Sequence, residues 1–312
     1  MLKNEKINKW GKNCFNNVTK CPICNSKKIK KINNIQSKIK EINGFFDMMQ
    51  CKNCLHRCLS KLPTDSFLTN LYKKGSHLLC YDEGEKLQEY NTFVKKNFKQ
   101  ITPYDDHWIL KYIDIKKRGK YFELGPGLCG MYKTFYSQGW NCQGLEPRSI
   151  IKAPGIKRKI NQIIGKVDII VAFDVLEHVT DPLKYLKLLN TKLKKGGKIF
   201  LTFPNAESFK SKILKDKWSM VAPLGHVNFF SKKSVKIMFM KSGFETLILK
   251  DFSLVDPRRL VRNLLKLPFK CLKDIILLKF NSLFQRFGEF FMNCLDLING
   301  DQLKVVGKKI QK

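Results

Sequence analysis

Two cysteine pairs, Cys21-Pro-Ile-Cys24 and Cys51-Lys-Asn-Cys54, lie 26 residues apart near the start of the chain. Two thiolate pairs can complete a tetrahedral zinc site, and metal binding then contributes folding energy that so small a segment lacks. Four thiolates would close the site, which makes it structural. His56 or Cys58 could take the place of one of the four. Redox chemistry is the competing use of a Cys-x-x-Cys pair, but it needs one pair only, in a thioredoxin-like βαβ setting that is absent here.

A second group begins at Phe122-Glu123-Leu124-Gly125-Pro126-Gly127-Leu128-Cys129-Gly130. Glycines let a chain turn sharply between a strand and a helix and let its backbone approach a ligand, although the same spacing also makes an empty turn. Glu123 sharpens the reading. An acid two residues before the first glycine suits a ligand's amino group and would be badly placed against a pyrophosphate. Glu146 follows 19 residues after Gly127, where a carboxylate can accept both hydroxyls of an adenosine ribose.

The third group is Asp174-Val-Leu-Glu177-His178-Val-Thr-Asp181-Pro182. It follows an apolar run, so it falls at the carboxyl edge of a buried strand, where α/β sheets bind ligands. Asp181 and Pro182 have the N-cap and first-turn preferences of a new helix. Glu177 and His178 read equally as a pair that fixes the loop or as substrate or metal contacts. His226, in a later loop, is the first choice of general base for a hydroxyl acceptor and His178 the second; a loop-anchoring hydrogen bond is the other reading of His226.

These residues need a scaffold, and from residue 119 short apolar runs alternate with helical stretches, as in an α/β sheet covered on both faces. Strands are expected at 120–124, 141–145, 167–173, 198–203, 245–250 and 302–307. Helices are expected at 131–138, 182–195 and from Ser231 to Gly243. Helical spacing is also present through Leu87, Tyr90, Phe93, Val94 and Phe98, and through Trp108, Ile109, Tyr112 and Ile113. The resulting organisation is a zinc-binding module (1–64), a helical bridge (65–115), the catalytic core (116–250), a helical insertion (251–300) and a last core strand (301–312).

At 312 residues and 43% hydrophobic content the chain can bury a substantial core. The net charge of +33 suggests an anionic partner. Only 8 of the 59 basic residues are Arg, the residue best suited to bidentate phosphate and base contacts, and the lysines are scattered. An anionic small substrate or a membrane surface is therefore favoured over nucleic acid. The apolar stretches are too short to span a bilayer and the start is polar, so the expected location is the cytoplasm, with peripheral contact at an anionic membrane through the basic, amphipathic 257–298 segment.

Together Glu123-x-Gly125-x-Gly127, Glu146 and the Asp174 to Pro182 run resemble the class I S-adenosylmethionine-dependent methyltransferases, especially the branch containing the ubiquinone-biosynthesis O-methyltransferases. Gly196-Gly197, Phe203-Pro204-Asn205 and Gly225-His226-Val227-Asn228-Phe229-Phe230-Ser231 are similar to members that modify sugars and surface polysaccharides. The resemblance implies a Rossmann-like core in which Glu123, Gly125, Gly127 and Glu146 bind S-adenosylmethionine, with Phe173 and Asp174 lining its methionine side. In the ubiquinone branch, residues matching Asp174, Glu177 and His178 are associated with a divalent metal. Comparable cysteine knuckles occur in sugar C-methyltransferases, which carry a further C-terminal domain.

Only 20 residues separate Glu146 from Val167, so the helix and third strand usual there must be abbreviated. The expected function is O- or N-methylation of a sugar or nucleotide-sugar in surface polysaccharide assembly. A tRNA or rRNA methyltransferase and a catalytically silent protein that holds an anionic partner are the alternatives. A nicotinamide oxidoreductase fits Glu123 and the Asp174 to Pro182 run badly.

Overall fold

The computed structural model describes residues 14–36, 45–73, 97–105, 107–146, 152–253 and 280–310. The helical spacing at Leu87 to Val94 and the 254–279 part of the insertion lie outside them.

The N-terminal residues build two small sheets. In one, β1 (Phe15–Asn17) pairs with β5 (Lys61–Pro63). The other is antiparallel, with β2 (Ile29–Gln36), β3 (Phe45–Cys51) and β4 (Arg57–Leu59) in order. Helix α1 (Asp65–Lys73) follows. The stretch around Trp108 and Ile109, expected to be helical, forms short 3-10 turns at Trp108–Tyr112 and Ile115–Lys117. Asp114 interrupts them by accepting from the Lys116 amide, a local bond that competes with continued helix.

The core is a seven-stranded sheet. In chain order it contains β6 (Lys120–Leu124), α2 (Gly130–Ser137), β7 (Asn141–Leu145), β8 (Ile156–Lys157), β9 (Val167–Phe173), α3 (Pro182–Lys192), β10 (Leu193–Pro204) and α4 (Phe209–Leu214). Then come β11 (Asn228–Phe229), α5 (Lys232–Lys241), β12 (Phe244–Phe252), α6 (Phe280–Ile298) and β13 (Gln302–Lys309). The strand order is β12-β13-β10-β9-β6-β7-β8, with β13 antiparallel to both neighbours. This is the α/β sheet with covering helices that the alternating pattern predicts, in the Rossmann-like form that the family resemblance implies.

β9, Val-Asp-Ile-Ile-Val-Ala-Phe, is an unbroken apolar run apart from Asp168 because both its faces are covered. One core layer joins its Ile170 and Ala172 to Leu186, Leu189, Val235 and Phe239; the other joins Ile169 and Val171 to Tyr121, Tyr132 and Phe135. Caps fix the helix starts. Asp181 accepts from the Lys184 amide at 2.8 Å, and Ser231 and Ser234 form a reciprocal capping box at the start of α5.

Two features differ from the sequence pattern. Helix α3 stops at Lys192, and β10 starts at Leu193 with a bulge before Lys198, so Gly196-Gly197 lies within the strand instead of ending the helix. Gly196 has φ +70°, which accommodates that bulge. The abbreviated third strand is only the two-residue β8, paired in parallel with β7.

The N-terminal sheet is completed by the core. β11 adds to the open edge of β4, with Asn228 opposite Cys58 and Phe229 opposite Arg57. Cys21, Ile23, Cys51 and Cys54 belong to the same buried cluster as the sheet and α5.

Candidate active site and cysteine centre

The glycine loop leaves β6 at the carboxyl edge of the sheet. Gly125 has φ +69° and Gly127 φ +46°, and a Cβ on Gly125 would lie 2.8 Å from Val175 Cγ2. A side chain there is excluded by both conformation and space. Glu123 is 4% exposed, and the Tyr121 hydroxyl donates to its Oε2 at 2.7 Å. Burial pushes its pKa up to about 8, and the charge of Glu146 adds to the rise. Such a carboxyl favours any ligand that brings a cation. Glu146 stands just beyond β7, its amide donating to the Lys157 carbonyl at 2.9 Å.

An aromatic wall borders this loop. Phe173 ends β9, with the rings of His107 and Trp108 at 5.0 and 6.1 Å. Tyr104 lies over Gly130, where an added Cβ would sit 2.3 Å from its ring, and its phenol is raised first by burial and then by the charge of Glu123. Sequence reading missed Tyr104 and His107, because neither stands in a motif and their segment has no regular element.

Glu177 is fully buried, and neither of its carboxyl oxygens has a hydrogen-bond partner among the described residues. Burial, then the charge of neighbouring Asp174, raises its pKa well above the carboxylate range. His178 donates from Nδ1 to the Gly225 carbonyl at 2.6 Å, and His226 from Nδ1 to the Met220 carbonyl at 2.7 Å. A carbonyl only accepts, so Nδ1 carries the proton in each of these two bonds, and the His178 ring also has a hydrogen bond with the Asp174 backbone. Burial holds the pKa of His178 down at about 4 and, with the charge of His178, that of His226 at about 3. The two rings meet edge to face at 4.7 Å.

One donor atom from each of Glu177, His178 and His226 lies within 4.8 Å of the others. The sequence expectation grouped Asp174 with Glu177 and His178. Asp174 has φ +53° and its Oδ1 accepts from Thr202 Oγ1 at 3.1 Å; among the described residues His226, and not Asp174, converges with Glu177 and His178. His226 is 3% exposed whereas His178 is half-buried, so His178 is the more accessible imidazole.

The four sulfurs of Cys21, Cys24, Cys51 and Cys54 converge within 4.8 Å, with Cys21–Cys54 and Cys24–Cys51 Sγ pairs each at 3.5 Å. That is too long for a disulfide, and close to the roughly 3.8 Å edge of a tetrahedron with zinc–sulfur bonds near 2.3 Å. The two Cys-x-x-Cys turns are near copies. In each, the residue after the second cysteine (Asn25, Leu55) is left-handed and donates to the first cysteine's carbonyl, while the first cysteine's amide donates to Ser26 or His56. The hydrogen bond between Cys21 and Cys54 pulls the Cys21 thiol pKa down and pushes the Cys54 thiol up. His56 and Cys58 are not in the sulfur group. His56 Nε2 pairs with Asn228 Oδ1 at 3.0 Å, and burial pushes the Cys58 thiol up to about 12.

Residues 93–249, half of the chain, match the methyltransferase-domain family. The chain belongs to this family, and the protein is a class I S-adenosylmethionine-dependent methyltransferase. Among solved structures it is similar to an S-adenosylmethionine-dependent methyltransferase from Thermotoga maritima (19% identity, 62% of this chain and 83% of that one, TM-score 0.38). Another, from Mesorhizobium loti, is 12% identical over 64% of this chain and 95% of that one, with a TM-score of 0.44. Phosphoethanolamine N-methyltransferase 2 of Haemonchus contortus is 15% identical over 81% and 63%, with a TM-score of 0.44. No curated protein sequence matches the chain.

Proposed function

We propose that the enzyme methylates a hydroxyl or amine of a sugar or nucleotide-sugar in surface polysaccharide assembly. The observation behind this reading is the polar group Glu177, His178 and His226 beside Asp174 at the carboxyl edge of the sheet, which suits an acceptor rich in hydroxyls. The motif resemblance around Gly225 to Ser231 supports the same substrate class.

Bound S-adenosylmethionine supplies a methyl group on a sulfonium sulfur, ready for in-line displacement. Glu123 would hold its ammonium, Glu146 would accept from the ribose hydroxyls, Gly125 and Gly127 would let the backbone come close, and Phe173 and Asp174 would line the methionine side. Fixing the acceptor about 3 Å from the methyl accounts for much of the acceleration.

His178 and His226 serve the acceptor hydroxyl, but burial weakens both as bases. Two imidazoles and one unpartnered carboxylate form a donor set that fits a divalent metal, which would act there as a Lewis acid on that hydroxyl. Cys21, Cys24, Cys51 and Cys54 would hold one structural zinc in a module spanning residues 1–64. The basic, apolar sequence of 257–298 supports peripheral contact with an anionic membrane, which flotation with anionic liposomes tests.

The deciding experiment for the substrate incubates the protein with radiolabelled S-adenosylmethionine and either a nucleotide-sugar extract or total RNA. Label in the sugar fraction is the expected result. Label in RNA overturns the reading in favour of a tRNA or rRNA methyltransferase, the alternative that the +33 charge favours. Failure to bind the cofactor at all would leave a silent binding protein.

A further inference from the structure

We infer that the cysteine knuckle is a positioning device for the acceptor side of the active site, acting through His56, Asn228 and Ser231. The inference rests on the four-cysteine centre holding zinc. The knuckle and the acceptor loops are far apart in sequence, yet one chain of buried hydrogen bonds joins them.

It starts at the second knuckle turn, where the Cys51 amide donates to the His56 carbonyl at 2.9 Å. The His56 ring, 1% exposed and packed 5.3 Å from Phe230, donates from Nε2 to Asn228 Oδ1 at 3.0 Å. Asn228 is fully buried, and its side-chain amide donates onward to the Val179 carbonyl at 2.6 Å. The backbone amides of Val227 and Asn228 both donate to the Glu177 carbonyl, at 2.8 and 3.1 Å. His226 immediately precedes this pair, and Glu177 and His178 lie directly on the loop it holds. A second link runs from Ser231 Oγ to the carbonyl of Cys54 at 2.5 Å.

Buried polar groups are costly unless satisfied, so a chain of this kind has one low-energy arrangement. β4 and β11 hold its backbone, with Asn228 opposite Cys58. The knuckle therefore sets where β11 lies, and β11 sets the separation between the Glu177–His178 loop and the His226 loop. Glu123, Gly125 and Glu146 hang from β6 and β7, outside this chain. The knuckle should then tune the acceptor side and leave the cofactor side unchanged.

The chain has five histidines, which makes selective labelling practical. Full-length protein labelled with 15N-histidine is compared as wild type, His56→Ala, His56→Gln and Ser231→Ala. Zinc content, S-adenosylhomocysteine affinity and hydrogen exchange at the Val227 and Asn228 amides are measured on each. His56→Ala should keep its zinc and keep its affinity within about twofold, while the His178 and His226 ring signals shift and exchange at the two amides rises at least tenfold. His56→Gln, which retains a donor, should restore both signals. Ser231→Ala should give a smaller change of the same kind and serves if His56→Ala does not fold. Zinc at one per chain with unmoved ring signals and unmoved exchange overturns the coupling. Absence of zinc from the wild type overturns the zinc reading and the inference with it.

Discussion

Glu123 is the residue whose environment most directly predicts behaviour. Burial keeps it protonated below about pH 8, but an ammonium ligand needs it ionised. Affinity for S-adenosylhomocysteine should therefore rise as pH rises towards 8, by up to about tenfold per unit. Calorimetry across pH 6 to 8 checks this. Glu123→Gln should bind about 10- to 100-fold more weakly, the equivalent of about 1.5–3 kcal/mol for a charged hydrogen bond, and with a flatter pH dependence. The sign for stability is opposite. A folded-state carboxyl with a raised pKa holds a proton that the unfolded chain has lost, so without ligand this group contributes stability that fades as pH climbs towards 8. Glu146→Ala should weaken the same ligand by about 2 to 3 kcal/mol through loss of two ribose hydrogen bonds to a charged acceptor. Unchanged affinity in that variant would remove Glu146 from the cofactor site.

At the scale of elements, the joints are more fragile than the strands. Ser231 caps α5 and also donates to the Cys54 carbonyl. Ser231→Ala should lower the unfolding free energy by about 1 to 2 kcal/mol, at the upper end for a lost cap because a buried acceptor is stranded as well. Urea titration measures the loss. In β13, a Cβ on Gly307 would meet Phe239 Cε1 at 2.4 Å and Ile199 Cγ2 at 3.0 Å. Gly307→Ala should cost about 1–3 kcal/mol from overpacking. A midpoint equal to the wild type's would mean that the Phe239 ring swings aside at no cost.

For the whole molecule, the knuckle cysteines share a buried cluster with the central sheet, and β11 belongs to both halves. Metal analysis should find one zinc per chain. Removing it with a chelator should shift a single calorimetric transition to lower temperature, because zinc binding free energy is also folding free energy and the halves have a common core. Two separate transitions, with only the smaller moved by chelation, would show an autonomous knuckle.

Local chemistry was legible along the chain. The bounds of β6, β7 and β9, the Asp181 and Ser231 caps, the glycine loop and the four converging cysteines all follow from residue types at short spacing, where backbone geometry leaves few choices. Three matters waited for the tertiary structure. Gly196-Gly197 reads as a helix stop because glycine commonly ends helices, yet β10 pairs with β9 early and absorbs the glycines as a bulge. The family resemblance groups Asp174 with Glu177 and His178, but the donor atoms that converge are those of Glu177, His178 and His226, the last brought in by a loop about fifty residues later. The knuckle reads as a separate module because both cysteine pairs fall in a strongly basic stretch with little aliphatic periodicity at the start of the sequence. Its sheet had an open edge, and only the fold could bring Asn228 and Phe229 to fill it, since strand pairing depends on proximity in space and not on order along the chain.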